Sequence, residues 1–194
     1  MSNTDQYWID QTLAGNTQAF GHLVKAYQDF IYTIALRVVK VREEAEEVAQ
    51  DSFIKAYESL SDYRGEAKFS SWLYSIAYRK ALDRVRKYKR NRELELIEEI
   101  TEHQLDEVEN ALAFLESQER REKINQCIMQ LPERDAALVT FYYFEELSVK
   151  EIAKLTEMSE DNIKVRLFRS RKKLFTLLRS YIQPEAHEEN GKAI

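Results

Sequence analysis

Two stretches of this sequence combine residue types that could do chemistry on a nucleic acid. The first runs from Phe69 to Arg92 and sets Trp72, Tyr74 and Tyr78 among the cations Arg79, Arg84, Arg86 and Lys87, with Lys68 just before it. Aromatic rings offer stacking platforms to unpaired bases, and cations take up phosphate charge. Tyr74 and Tyr78 stand four apart, and a helical reading turns them outward, with Trp72 at the edge; core packing or a solvated helix edge is the competing reading of these aromatics. The second stretch, Ile152 to Ile163, has the layout of a helix-turn-helix. Small Ala153 lets two helices cross closely, and Met158 and Ile163 are apolar where the turn and second helix must pack. At 100° per residue, Ile163, Leu167, Leu174 and Leu178 share one face of that second helix. Asp161, Asn162, Val165, Phe168, Arg169 and Lys172 take the other, flanked by Lys164, Arg166, Arg171 and Lys173. Such cations reach phosphates, while Asn and Arg can read base edges through paired hydrogen bonds.

Other chemistry finds little support. His22, His103 and His187 show no metal-ligand spacing. Glu43, Glu44, Glu46 and Glu47 lack the Glu-x-x-His partners of di-iron bundles. The single cysteine, Cys127, lies on an apolar helical face and reads as a packing thiol. Phosphate-binding glycine loops and nucleophile elbows are missing. The expectation is a protein without catalytic residues, metal, cofactor or small-molecule substrate.

Charge supports the nucleic-acid reading once it is resolved along the chain. The net charge of -5 hides a pattern. Arg79–Arg92 holds eight basic residues and one acid, Glu93–Glu119 ten acids and no Lys or Arg, and Glu160–Arg179 seven basic residues and two acids. Two basic helices separated by an acidic stretch differ from a uniformly acidic protein.

The elements that must position these residues are helices. Gly (4) and Pro (2) are too scarce for β-meanders. Phe20, Leu23, Val24, Tyr27, Phe30, Ile31, Ile34 and Val38 keep three-four spacing after Asn16-Thr17, an N-cap signal. A second face runs through Ala45, Val48, Ala49, Phe53, Ala56, Tyr57 and Leu60, and a third helix starts near Phe69 with Leu73, Ile76 and Ala77 inward. The second block begins near Leu115, with Ile124, Cys127, Ile128 and Leu131 on one face and Pro132 opening the next helix. Ser148 can cap a short helix and Ser159 a long last one. The predicted fold class is all-α, with two small helical domains at 15–92 and 115–181. An acidic linker at 93–114 joins them, and a disordered tail follows at 182–194. No apolar run reaches the roughly 18 residues that would span a membrane, and Met1 to Asp5 carries no secretory pattern. A cytoplasmic protein without direct membrane insertion is expected.

The run Leu131-Pro132-Glu133-Arg134, Leu147 to Ala153, Met158-Ser159 and Ile163 to Leu174 resembles region 4 of extracytoplasmic-function (ECF) sigma factors. Glu44 to Phe53 looks like region 2.2 of the same family, and Phe69 to Asp83 like regions 2.3 and 2.4. The resemblance covers about residues 15–90 and 115–180. It implies a sigma factor that binds core RNA polymerase and directs promoter-specific initiation of transcription. Region 4 would read the duplex -35 element through Asn162, Lys164, Val165, Arg166, Arg169 and Arg171. Region 2 would hold the polymerase clamp through Glu47, Gln50, Asp51 and Ile54. It would open the -10 element and hold the melted strand through Tyr63, Arg64, Lys68, Trp72, Tyr74, Tyr78, Arg79 and Arg84. The loop Tyr63 to Lys68 falls where the family builds a pocket for a flipped base. An anti-sigma factor is a further implied partner. Three positions depart from the family pattern: Glu157 for a turn glycine, Asp161-Asn162 for Gly-Thr, and Arg79 for a frequent Asn. A dimeric regulator with a similar helix-turn-helix, a helical-bundle enzyme and a pure adaptor are the competing readings. The aromatic-basic segment Phe69 to Arg92 distinguishes the sigma reading from the regulator. Compact pairing of the domains, with the acidic linker, is expected to mask the basic faces in the free protein.

Overall fold

The computed structural model describes residues 3–89 and 117–182. The linker assigned to 93–114, and all but the first residue of the tail assigned to 182–194, lie outside the described residues. Among those described there are eight α-helices and no strand: α1 (Asn3–Leu13), α2 (Thr17–Val39), α3 (Arg42–Glu58), α4 (Phe69–Lys89), α5 (Ser117–Met129), α6 (Glu133–Tyr143), α7 (Val149–Thr156) and α8 (Glu160–Ile182). A 3-10 turn, Leu60–Asp62, follows α3.

The first block is built on mutual packing of α2, α3 and α4. The three-four stripe of α2 supplies Phe20, Leu23, Ile31, Ile34 and Val38 to its core, and α3 supplies Ala45, Val48 and Ala56. Lys40 ends α2 in the left-handed region (φ 66), with its N–H donating to the Leu36 carbonyl at 2.8 Å. Helix α1 lies on α2, upstream of the start expected at residue 15. Its apolar residues form no clean stripe: Ile9 enters the core, whereas Tyr7 and Leu13 stay exposed. A side-chain bond from the Tyr27 hydroxyl to Asp5 (2.8 Å) and stacking of Trp8 on His22 (3.7 Å) hold it in place. Gly15 at φ +99 makes the turn into α2, a conformation that costs glycine little. Asn16 stands at the N-cap, but its side chain makes no capping bond.

In the second block, α5, α6 and α7 pack against α8. Cys127 and Ile128 are buried from α5, Leu131 from the turn and Ile152 from α7. Pro132 is the N-cap of α6, one position before the first helical residue. Ser148 caps α7 in a capping box: its hydroxyl accepts from the Glu151 N–H (3.3 Å), while the Glu151 carboxylate accepts from the Ser148 N–H (2.9 Å). Helix α8 buries Ile163, Leu167, Ser170, Phe175 and Leu178, with Leu174 half-buried. The true inner face is thus rotated slightly toward Ser170 and Phe175.

The two blocks share one apolar core. Helix α6 packs on α2, and α7 packs on α4. Phe141, with no exposure, meets Tyr78 edge-on at 5.9 Å, Tyr74 at 6.3 Å and Phe30 at 6.4 Å. Arg37, buried at 5% exposure, crosses the seam to neutral acceptors, the Thr140 hydroxyl and the Asn125 side-chain carbonyl (2.8 Å). Its guanidinium also lies 4.5 Å from the centre of the Phe144 ring. Burial lowers its pKa to about 10. Lys40 sits beside it with a buried Nζ that makes no hydrogen bond to the described residues, and burial pulls its pKa down to about 8.

Two stability predictions follow from these contacts. Ser148→Ala removes the capping box and should lower unfolding free energy by about 1 kcal/mol, read from urea midpoints at unchanged slope. Lys40 is charged in the fold at neutral pH, with its pKa lowered from the ordinary 10.5 to about 8. The folded state therefore binds fewer protons than the unfolded state between about 8 and 10.5, so this site favours folding more as pH rises through that window. Lys40→Met should be more stable than the parent at pH 7, and the gap should close toward pH 10. A gap independent of pH would contradict the assignment.

Candidate nucleic-acid interface

The helix-turn-helix is formed by α7 and α8. Glu157 makes the turn in the left-handed region, φ 60 and ψ 26, the conformation for which the family pattern has glycine. The Asn162 N–H donates to Ser159 Oγ (3.3 Å), securing the first turn of α8. Asn162, Lys164, Val165, Arg169 and Arg171 are exposed together on the outer face, as the periodicity predicts. Val165 is 47% exposed, an apolar contact surface amid cations. Lys172 lies 4.6 Å from the centre of the half-buried Phe168 ring. Arg166 differs. Its guanidinium donates to Asp135 of α6 at 2.7 Å, and its Nε donates to Asn162 Oδ1 at 3.1 Å. Asp135 is only 8% exposed, so Arg166 also ties α8 to α6.

On the first block, Glu47, Gln50, Asp51 and Ile54 form an exposed stripe along α3, with Ile54 at 57% exposure. Neighbouring charges discipline it. Lys80 approaches Asp51 at 3.7 Å, and Arg84 bridges Glu44 (2.6 Å) and Glu47. Arg84, expected to face DNA, is thus engaged with α3.

The orientation expected for Tyr74 and Tyr78 is corrected by the structure. Both are buried, at 3% and 2% exposure, and every residue from Leu73 to Tyr78 is enclosed. One face of α4 packs on α2 and α3, and the second block covers part of the rest. A helical wheel separates the faces but cannot show that a second domain will cover the outer one. The Tyr74 hydroxyl donates to Glu145 at 2.7 Å, and Arg79, still exposed, pairs with Glu157 at 2.9 Å. Burial, assisted by Glu145, pushes the Tyr74 phenol well above its usual value. Burial also raises the Glu145 carboxyl, and the Tyr74 bond partly offsets that.

Away from the seam, Tyr63, Phe69 and Trp72 form an aromatic cluster with ring centres 5.3 to 5.6 Å apart. The Tyr63 hydroxyl donates to the Ala67 carbonyl (2.6 Å), which braces the loop. Arg64 and Lys68 are exposed on it. Beside the loop opens a cavity of about 340 Å³, lined by Tyr27, Tyr63, Lys68, Phe69 and Ser70, together with Asp5, Gln6 and Ile9 from α1. The α1 residues were missed in the sequence reading. No motif marks them, and only the docking of α1 brings them there.

Residues 23–91 match the family model for Sigma-70 region 2, and residues 121–174 that for Sigma-70, region 4. The RNA polymerase sigma-H factor of Pseudomonas aeruginosa is 33% identical over 173 residues, 86% of this chain and 90% of that protein. The ECF RNA polymerase sigma factor SigW of Bacillus subtilis is 32% identical over 177 residues, 88% of this chain and 95% of that protein. Among solved structures, the sigma factor RpoE of Bartonella quintana, in complex with the anti-sigma factor NepR, aligns with a TM-score of 0.62 at 17% identity. That alignment covers 82% of this chain and 96% of that one. CnrH, in complex with the cytosolic domain of CnrY, aligns at 0.59 and 23% identity over 92% and 99% of the two chains. At these identities the structures speak to the fold, which they share with this chain. Two family matches in the same order, and relatives aligned over most of their length, identify the chain as a member of the sigma-70 family of RNA polymerase sigma factors, in its extracytoplasmic-function group.

Proposed function

We propose that the two blocks divide promoter recognition between them, and that their seam decides when they can do so. In this reading the first block, residues 15–92 extended by α1, binds core RNA polymerase through Glu47, Gln50, Asp51 and Ile54. The same block holds the melted -10 strand on the aromatic and basic residues of the 63–68 loop and α4. The second block, residues 115–181, reads the -35 duplex through Asn162, Lys164, Val165, Arg169 and Arg171, with Arg166 bracing the helix. The chain works in the cytoplasm as a non-catalytic initiation factor, and the polymerase supplies the chemistry. An anti-sigma factor, the kind of partner seen with RpoE, is the expected antagonist.

The observation that carries the reading is one chain joining an exposed cationic helix-turn-helix face to an aromatic-basic helix. A simple duplex-binding regulator has no use for the second feature. The seam adds a regulatory step. Phe141 and Glu145 cover Tyr74 and Tyr78, whereas the outer face of α8 stays open. Strand capture by the two tyrosines therefore requires the blocks to separate. Among the described residues, the second block covers the -10 surface of the first block and leaves the outer face of the recognition helix exposed.

Incubating the full chain with bacterial core polymerase on genomic fragments should yield discrete new start sites in run-off transcription. Absence of core binding, with tight duplex binding by the chain alone, would replace this reading with the regulator. Gln50→Ala with Asp51→Ala, both exposed, should weaken core binding without lowering thermal stability. Removing the two seam carboxylates, Glu145→Ala with Glu157→Ala, should favour the open form. A net hydrogen-bond contribution of about 1 kcal/mol corresponds to roughly five-fold tighter binding of single-stranded -10 DNA. Unchanged strand affinity would show that the seam does not limit capture.

A further inference from the structure

Two cations at the end of α2 lie where the second block covers the first. Arg37 and Lys40 stand three apart, a spacing that brings side chains to one side of a helix. Helix α6 packs on α2, and both acceptors of Arg37, Thr140 and Asn125, belong to the second block. Lys40 Nζ is buried and makes no hydrogen bond to the described residues. Desolvation acts on it most. Among the described residues, Glu133 at the start of α6 partly restores the ammonium, and Arg37 adds repulsion. The other groups nearby are otherwise placed. Arg42, at the start of α3, is exposed, α5 meets Arg37 through the neutral Asn125, and Asp135 of α6 is engaged by Arg166. Arg37 holds its proton up to about pH 10. A buried lysine ammonium sheds its proton far more readily than a guanidinium.

We infer that closure of the two blocks is coupled to release of a proton from Lys40 to solvent, so that rising pH closes the chain. Separation of the blocks returns the ammonium to water and to its ordinary value of 10.5, against about 8 in the closed form. The closed form therefore binds fewer protons between those values, and closure gains as pH rises through that window. Below about pH 8 Lys40 is charged in both forms, and closure carries the full cost of desolvating it. Neutral lysine removes that cost and the repulsion from Arg37 together. Closing also covers Tyr74 and Tyr78, so an alkaline shift withdraws the surface proposed to hold the melted strand. That consequence rests on the proposed function; the coupling itself does not.

The test follows the full chain by energy transfer between dyes on two exposed positions, Lys55→Cys on α3 and Thr176→Cys on α8. Cys127, with no exposure, stays unlabelled. Transfer is measured from pH 7 to 9 in this chain and in one also carrying Glu145→Ala with Glu157→Ala, whose weakened seam populates both forms. The ratio of closed to open chain should rise about ten-fold over that range. Lys40→Met should close the chain at pH 7 and remove the pH dependence. Lys40→Arg stays charged, so it should leave the chain more open and equally flat over the range. Circular dichroism checks that each variant keeps its helices. A flat ratio in both starting chains, or a rise that persists in Lys40→Met or Lys40→Arg, overturns the coupling. Affinity for single-stranded -10 DNA, measured alongside, should fall as the chain closes. If closure follows pH while strand affinity does not, the coupling stands and the strand-capture reading of the seam falls.

Discussion

Enclosure of Phe141 against Phe30, Tyr74 and Tyr78 is the contact around which the rest of the arrangement is organised. It gives α4 two buried sides, one toward its own bundle and one toward the second block. Full burial of one phenylalanine is worth about 1.5–3 kcal/mol. Such a gain can hold two small domains together without locking them. The polar contacts around it share that character. Arg79–Glu157 is exposed on both sides, and an ion pair of that kind contributes little net stability. Tyr74–Glu145 is the more protected, with a carboxyl that burial already disfavours in its charged form.

Buried cations at the same seam point the same way. Arg37 gives its hydrogen bonds to a hydroxyl and an amide carbonyl, and its lowered pKa records the cost of desolvation. Lys40 is worse placed, with a buried ammonium and no hydrogen-bond partner among the described residues. Groups that prefer water make closure weaker than its apolar contacts alone would make it. For an initiation factor this is functional, because the surface that closure covers is the one proposed to hold the melted strand.

Much of the helical plan was legible in the sequence because it is written in local rules. The stripe Phe20 to Val38, the Ser148–Glu151 capping box, and Ile163 with Leu167 on the inner face of α8 each depend on neighbours within a turn or two. The exposed face of α3 and the cationic face of α8 follow from the same periodicity. What stayed hidden depends on contacts remote in the chain. The burial of Tyr74 and Tyr78 needs a partner about seventy residues away, as the Tyr74–Glu145 separation of 71 shows. Helix α1 has no clean apolar stripe, and its docking rests on Ile9, the Asp5–Tyr27 bond and the stacking of Trp8 on His22. Arg84 reads as a DNA cation within its basic run, but Glu44 and Glu47 lie across from it on α3.

Glu157 joins these levels. At φ 60 it occupies a conformation that an ordinary L residue adopts at a cost and glycine adopts freely. Considered within the helix-turn-helix alone, the departure from glycine looks like a defect. Across the seam, its carboxylate meets Arg79, which itself replaces the family's frequent asparagine. The two departures therefore face each other, one on each DNA-reading block. Glycine at the turn would relax α7–α8 and leave Arg79 without this partner. Asparagine on α4 would lack the charge to attract Glu157. A local strain in one block is coupled to a charge contact with the other, and that contact is lost when the blocks part. The same substitution thus makes the turn less comfortable and gives the closed form a contact that the open form cannot have.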